Sequence, residues 1–232
     1  LRNSICEIQN RIIFPLVSKF QSDAQKVKNI YFESLQLSVF LYLPAGVGLA
    51  IVSDNLVNIM FSKSWIAIAD ILPLLSIAGI FASLVRVIEQ FYKGLGSPKF
   101  IVLFSFISVL ILLFCIMFVY EHTMLGISYS ILTTYIAQFS LVFWHSLKFL
   151  NIRNKLLAKN FGVIFIGVAI MATSLIYLNQ YFIVDEAVKL PLLIVIGVIV
   201  YALYSYVVAH VFNILFIKKI FSQIADIRSL RF

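Results

Sequence analysis

Residues 100–120 read FIVLFSFISVLILLFCIMFVY, and no charged side chain interrupts the run from Phe100 to Tyr120. At 1.5 Å of rise per residue, a helix of this length crosses a hydrocarbon layer of about 30 Å. Lipid offers no hydrogen-bonding partner to a bare peptide group, so a spanning segment is either a helix or a strand of a closed barrel. Barrel strands need only about 9–11 residues and alternate in polarity, and this stretch does neither. It is therefore a transmembrane helix, bounded by Lys99 and Glu121.

Comparable blocks lie on both sides of it. Spans are predicted near 31–57, 65–93, 99–121, 123–147, 159–180 and 188–217, with a partial, polar-dotted helix at 1–19. The sequence thus predicts an all-α, polytopic transmembrane bundle of about six full spans plus one partial span at the N-terminus. Composition agrees: 62% of the 232 residues are hydrophobic and only 12% are charged. A soluble domain carries about twice that charged fraction. Cys6 and Cys115, both in apolar stretches, give neither a disulfide framework nor a CxxC metal site. Leu1-Arg2-Asn3 lacks an initiator Met, and Glu7 and Arg11 break any signal-peptide core, so the chain is expected to begin partway through something longer.

The net charge of +8 belongs to topology and anionic lipid rather than to nucleic acid, because the basic residues gather at span ends. Lys19, Lys26, Lys28, Lys93, Lys99, Lys148, Arg153, Lys155, Lys159, Lys218, Lys219, Arg228 and Arg231 fall in one set of alternate connections and the tail. Lys63 and Lys189 fall in the other. Thirteen against two places the first set, and the C-terminus, in the cytoplasm. Residues 20–30 read as a short polar connector on that surface, and 218–232 as a basic amphipathic tail lying along it. Pro44 and Pro73 fall inside spans and are expected to kink them. The run Ala45 to Ala50 predicts close helix packing, and Gly94-Leu95-Gly96-Ser97-Pro98 a turn followed by a helix start.

Ionisable residues away from span ends carry the functional information, since a charge at the bilayer centre costs roughly 2.5–3.5 kcal/mol on insertion scales. Arg2, Glu7 and Arg11 in the first helix, and Arg86 and Glu89 in the 65–93 span, are the candidates. Glu7 and Arg11 are spaced i,i+4 and Arg86 and Glu89 i,i+3, so each pair shares a helix face. One reading is a structural salt bridge, or Arg86 snorkelling toward Lys93. The other is a hydrophilic cavity in which arginines hold an anionic group such as phosphate and a carboxylate takes up a coupling proton or sodium ion. Asp54 and Glu33 read as wetted residues near span ends. His122, His145 and His210 lack metal-ligand spacing, and no nucleotide or nucleophile motif occurs, so neither a cofactor, a metal nor a catalytic residue is expected.

Arg11-Ile12-Ile13-Phe14-Pro15-Leu16-Val17-Ser18-Lys19-Phe20-Gln21 resembles a signature of the polysaccharide exporters in the multidrug/oligosaccharidyl-lipid/polysaccharide flippase superfamily. Leu43-Pro44-Ala45-Gly46-Val47-Gly48-Leu49, then Ser64 to Pro73, then Tyr92-Lys93-Gly94-Leu95-Gly96-Ser97-Pro98 follow in that family's order and spacing. The resemblance covers about residues 11–100; beyond that only span number and loop charge match. It implies the C-terminal half of a two-lobed, MATE-like transporter, residues 1–217 forming the lobe. Such a protein sits multi-pass in the bacterial cytoplasmic membrane and moves polyprenyl-pyrophosphate-linked oligosaccharide units for O-antigen, capsule or exopolysaccharide by alternating access. It implies an N-terminal lobe as partner, supplied by the same or a separate chain. On this reading Arg2, Arg11 and Arg86 attract the pyrophosphate, and Glu7 and Glu89 couple an ion. A drug or lipid II exporter of the same superfamily, a membrane-embedded glycan-assembly enzyme and a non-functional fragment are the alternatives.

Overall fold

The computed structural model describes residues 13–60, 65, 67–152, 155–181 and 185–211, and among them all regular structure is helical. Residues 13–19 are helical. Seven helices follow: α1 (Ala24–Ile51), α2 (Ser53–Met60), α3 (Ala67–Gly94), α4 (Lys99–Phe114), α5 (Met124–Phe149), α6 (Lys155–Tyr181) and α7 (Glu186–Val211). All but the short α2 are long and apolar enough to span a membrane, α4 through a terminal π-helical turn at Cys115–Val119.

Two expectations need correction. The supposed connector at 20–30 shrinks to a turn, because Asp23 accepts a hydrogen bond from the Lys26 amide at 3.1 Å and so starts α1 at Ala24. Polarity at 24–30 marked an interfacial first turn of the span rather than a loop; the cap satisfies one orphan amide there. The span expected at 31–57 is broken at Val52, and α2 is a separate helix. Glu33 accordingly lies about two and a half turns inside α1, exposed, rather than near its end. Pro44 and Pro73 both sit within unbroken helices. The expected tail at 218–232 lies outside the described residues.

Helix α3 is the centre of the bundle. It packs against α1 on one flank and α5 on the other; α1 passes contact on to α6, α6 to α7, and α5 to α4, while α2 bridges α3 and α7. One core joins α1, α3, α6 and α7 around Tyr42, Ile80, Val168, Met171 and Leu193. The other joins residues 13–19 to α1, α3, α4 and α5 around Val17, Tyr31, Ile88, Phe91 and Val142. Apolar burial cannot distinguish protein from lipid here, so close approach has to come from shape and polar contacts. Helix α5 buries a small and polar stripe at every fourth position: Gly126, Ser130, Thr134, Gln138, Val142 and Ser146. Its hydroxyls are satisfied internally, Thr134 donating to the Ser130 carbonyl at 2.7 Å and Ser130 to that of Gly126 at 2.9 Å. On α1, the predicted close packing at Gly46 is real: a Cβ there would run into Ile80 of α3.

The lysines of alternate connections meet at one end of the bundle. Lys28 donates to the Asn151 carbonyl at 3.1 Å, a Cβ on Gly94 would lie 2.7 Å from Val17, and Lys19 and Lys26 both sit over the Phe20 ring. Two turns of like construction shape this end. After α3, the Ser97 amide bonds the Tyr92 carbonyl and Gly96 that of Lys93, with Gly96 at φ +67°. After α5, Ile152 bonds Leu147 and Asn151 bonds Lys148, with Asn151 at φ +50°. Both are Schellman caps, which require a left-handed residue just past the helix and therefore favour glycine or asparagine there.

Candidate functional site

The second half of α3, from Ser76 onward, is largely enclosed, which makes its open positions informative. Leu84, Val87, Ile88 and Phe91 are at most 5% exposed. Arg86, Glu89 and Gln90 are only half buried, and Lys93 is exposed. With 3.6 residues per turn, 86, 89, 90 and 93 fall on one face, and Gly79, two turns back, falls in line with Arg86. A Cβ added at Gly79 would meet nothing within 4 Å, but Ala82 and Ser83, on this face between it and Arg86, are each 4% exposed, so the open part of the face begins at Arg86. A polar patch of Arg86, Glu89, Gln90 and Lys93 therefore occupies the last turns of α3 at the lysine-rich end.

Glu89 is flanked by the charges of Lys93 and Arg86. Among the described residues, however, no ion pair within 4.0 Å joins Arg86 to Glu89; the close pair that is formed is Lys26 with Asp23, at 3.2 Å. Arg86 and Glu89 thus interact at longer range than a close ion pair. Their charges are near enough to act on one another without closing into a bridge. Arg86 offers a planar guanidinium suited to phosphate oxygens, and Glu89 a carboxylate that can accept a proton or cation.

A second polar feature escaped the sequence reading. Residues 13–20 and the first turns of α1 enclose a groove of ≈ 170 Å³ lined by Leu16, Phe20, Lys26, Asn29, Ile30 and Glu33. The i,i+3/i,i+4 spacing of Lys26, Asn29 and Glu33 could have shown this face, but taking 20–30 as a connector hid it. Of the remaining candidates, Arg2, Glu7 and Arg11 lie outside the described residues. His122 and His145 sit beyond the start and near the end of α5, at opposite ends of the span. His145 is engaged by Tyr92, whose hydroxyl lies 2.7 Å from Nδ1.

Comparison with known proteins adds the following. A family model described as polysaccharide biosynthesis protein matches residues 1–70. The lipopolysaccharide biosynthesis protein WzxC of Escherichia coli (strain K12) is 33% identical over 76 residues, 33% of this chain and 15% of that protein. A protein described as an uncharacterized membrane protein in the cps region of Klebsiella pneumoniae is 28% identical over 109 residues, 47% of this chain and 22% of its own length. The matches to these curated relatives thus span less than a quarter of their lengths. In fold, the chain resembles the lipid II flippase MurJ in an inward closed conformation, with a TM-score of 0.72 at 18% identity over 90% of this chain and 46% of that one. These findings bear out the resemblance to the polysaccharide exporters and the all-helical, multi-pass membrane fold of their superfamily.

Proposed function

We propose that this chain forms one lobe of an exporter that carries lipid-linked oligosaccharide across the cytoplasmic membrane by alternating access. The lobe comprises residues 1–217, followed by a cytoplasmic basic tail at 218–232. A second lobe forms the facing wall of the cavity, the arrangement expected of two-lobed transporters with a central binding site. The observation that carries the proposal is the half-buried polar patch of Arg86, Glu89 and Gln90 on the last turns of α3. A protein lodged in lipid retains unpaired charge on its most enclosed helix only where water or a charged ligand meets it. Arg86, with Arg2 and Arg11 of the first helix, holds the pyrophosphate of the carrier lipid. Glu89, with Glu7, takes up a coupling proton or cation as the lobes rock. The lysine-rich end faces the cytoplasm, where such a substrate is assembled and where positive loops are retained.

The test is chemical. In cells lacking the native gene, the completed lipid-linked unit accumulates and surface polymer is lost; the gene restores both. Restoring it as Arg86→Gln or Glu89→Gln leaves the protein in the membrane at wild-type abundance and lowers export at least about tenfold, the loss of one charge-assisted contact to the moving group. Unchanged lipid pools in the deletion strain overturn the substrate, and full export by both variants overturns the site.

A further inference from the structure

The groove between residues 13–20 and the start of α1 is a surface that the transport reading leaves unused. Its lining is half apolar, from Leu16, Phe20 and Ile30, and half polar, from Lys26, Asn29 and Glu33. Leu16, Lys26, Asn29 and Glu33 are exposed along it. At ≈ 170 Å³ it is smaller than the about 300–1,000 Å³ of a small-molecule pocket, and it suits a few side chains of a docking segment. Lys26 is paired with Asp23 at 3.2 Å, and Lys19 stands with it over the Phe20 ring, while Glu33 brings a carboxylate to the lining.

Helix α7 leads to this groove. The Tyr201 hydroxyl donates to the Phe40 carbonyl at 3.1 Å and the two rings lie 5.3 Å apart, so α7 meets α1 at that level. Phe40 stands two turns from Glu33 on the same face of α1, the face that lines the groove. The two helices run in opposite directions: α1 leaves the lysine-rich end, and α7, which packs antiparallel to α6 through Tyr204 at Val163 and Gly197 at Leu175, returns to it. Two turns beyond Tyr201, Val208 is buried and comes level with Glu33, each step being about 10 Å. The last described residue of α7 is Val211, one turn further on. The chain beyond it therefore sets out from the level of the groove.

Residues 218–232 read KKIFSQIADIRSLRF. Ile220, Ile224 and Ile227, spaced i, i+4 and i+7, share a helical face with Phe221 at its edge, and Lys218, Lys219, Arg228 and Arg231 outnumber Asp226 four to one. We propose that this C-terminal segment docks in the α1 groove, seating apolar side chains of that face between Phe20 and Ile30 and bringing its cations to Glu33. The reach is sufficient: Val211 to Phe221 is about 15 Å as helix and more when extended, against the 8–10 Å that separates packed helices. Tethering gives the segment a local concentration of about millimolar. A carboxylate in the lining favours a basic peptide over an anionic lipid headgroup, which commits the groove to the tail. Docked there, the tail ties the end of the last span to the joint between residues 13–20 and α1.

Cross-linking of the full chain in nanodiscs tests this without any substrate, so its outcome is separate from that of the transport reading. In a background with Cys6 and Cys115 replaced by serine, Asn29→Cys with Ser222→Cys is treated with a short bismaleimide. Ser97→Cys with Ser222→Cys is the comparison pair at the same end of the bundle. The proposal expects a several-fold higher yield from the Asn29 pair, with the link formed within one chain. Glu33→Lys lowers that yield several-fold and Glu33→Gln lowers it less. Removing residues 218–232 raises the labelling of Asn29→Cys by a soluble maleimide several-fold. Equal yields from the two pairs show a tail that roams over the membrane surface and overturn the proposal. Cross-linked dimers assign the groove to a second copy, and labelling of Asn29→Cys that is indifferent to removal of the tail assigns it to lipid or water; either result overturns it. Where Glu33→Lys fails to reach the membrane, the truncation decides alone.

Discussion

Gly94 shows how closely single residues hold this bundle. It ends α3 where the first helix crosses, and a Cβ there would lie 2.7 Å from Val17 Cγ1 and 3.3 Å from the Phe14 carbonyl oxygen. Val17 is itself fully buried, so neither side can give way freely. Gly94→Val should destabilise the folded bundle by about 1–3 kcal/mol, the usual cost of overpacking. Adding Val17→Ala should recover part of that loss even though it is destabilising alone; a thermal-melt double-mutant cycle in detergent measures the coupling. Two residues away, Gly96 has a different reason for being glycine. Its left-handed φ of +67° is strained for any side chain, and Gly96→Ala should cost about 1–2 kcal/mol in the same melt although open space surrounds it. If Gly96→Ala melts like wild type, the cap geometry is not what holds that turn.

Each helix is held by devices at its ends and by a few polar links between spans. The start of α1 depends on Asp23, whose carboxylate accepts from the Lys26 amide and pairs with its ammonium. These contacts, the amide bond foremost, hold the Asp23 carboxyl below its ordinary value. A lowered folded-state pKa stabilises the native state above the ordinary carboxylate range, and that contribution disappears as pH falls through the lowered value. Wild type should therefore outlast Asp23→Ala at neutral pH, with the gap closing in acid below about pH 4, whereas Asp23→Asn keeps a cap and shows no such convergence. Melting curves over pH for the three proteins decide it. Between spans, Tyr31 of α1 meets Ser146 of α5 at 2.5 Å, and the Ser146 hydroxyl also contacts the Phe143 carbonyl at 2.7 Å. Because Ser146 keeps that second partner, Tyr31→Phe should cost only about 0.6 kcal/mol, typical of interhelical hydrogen bonds in membranes. Tyr31→Ala, which empties a fully buried ring site beside Phe91, should cost about 3–5 kcal/mol.

For the whole molecule the sharpest prediction concerns orientation. In a background with Cys6 and Cys115 replaced by serine, Ser97→Cys at the lysine-rich end should resist a membrane-impermeant maleimide in intact cells, and His122→Cys at the other end should react. The reverse pattern would invert the protein and remove the cytoplasmic assignment of that end. The number of spans was legible from residue order alone, as was the gathering of the described lysines at 19–28, 93–99 and 148 to one end, whereas the start of α1 at Ala24 and its break at Val52 were not. Both follow from one-dimensional facts: helix rise against bilayer thickness, and the position of charges along the chain. Arg86 and Glu89 were legible for the same reason, as isolated charges in apolar sequence. Which helices are neighbours was not, because lipid and protein interiors are equally apolar and hydropathy carries no instruction to face one rather than the other. Only the folded bundle puts α3 at its centre, brings Tyr31 to Ser146 across 115 positions, and leaves Arg86 and Glu89 half buried without a close ion pair between them. Those outcomes depend on shape, small residues and local caps, which act only once the chain has been brought together in three dimensions.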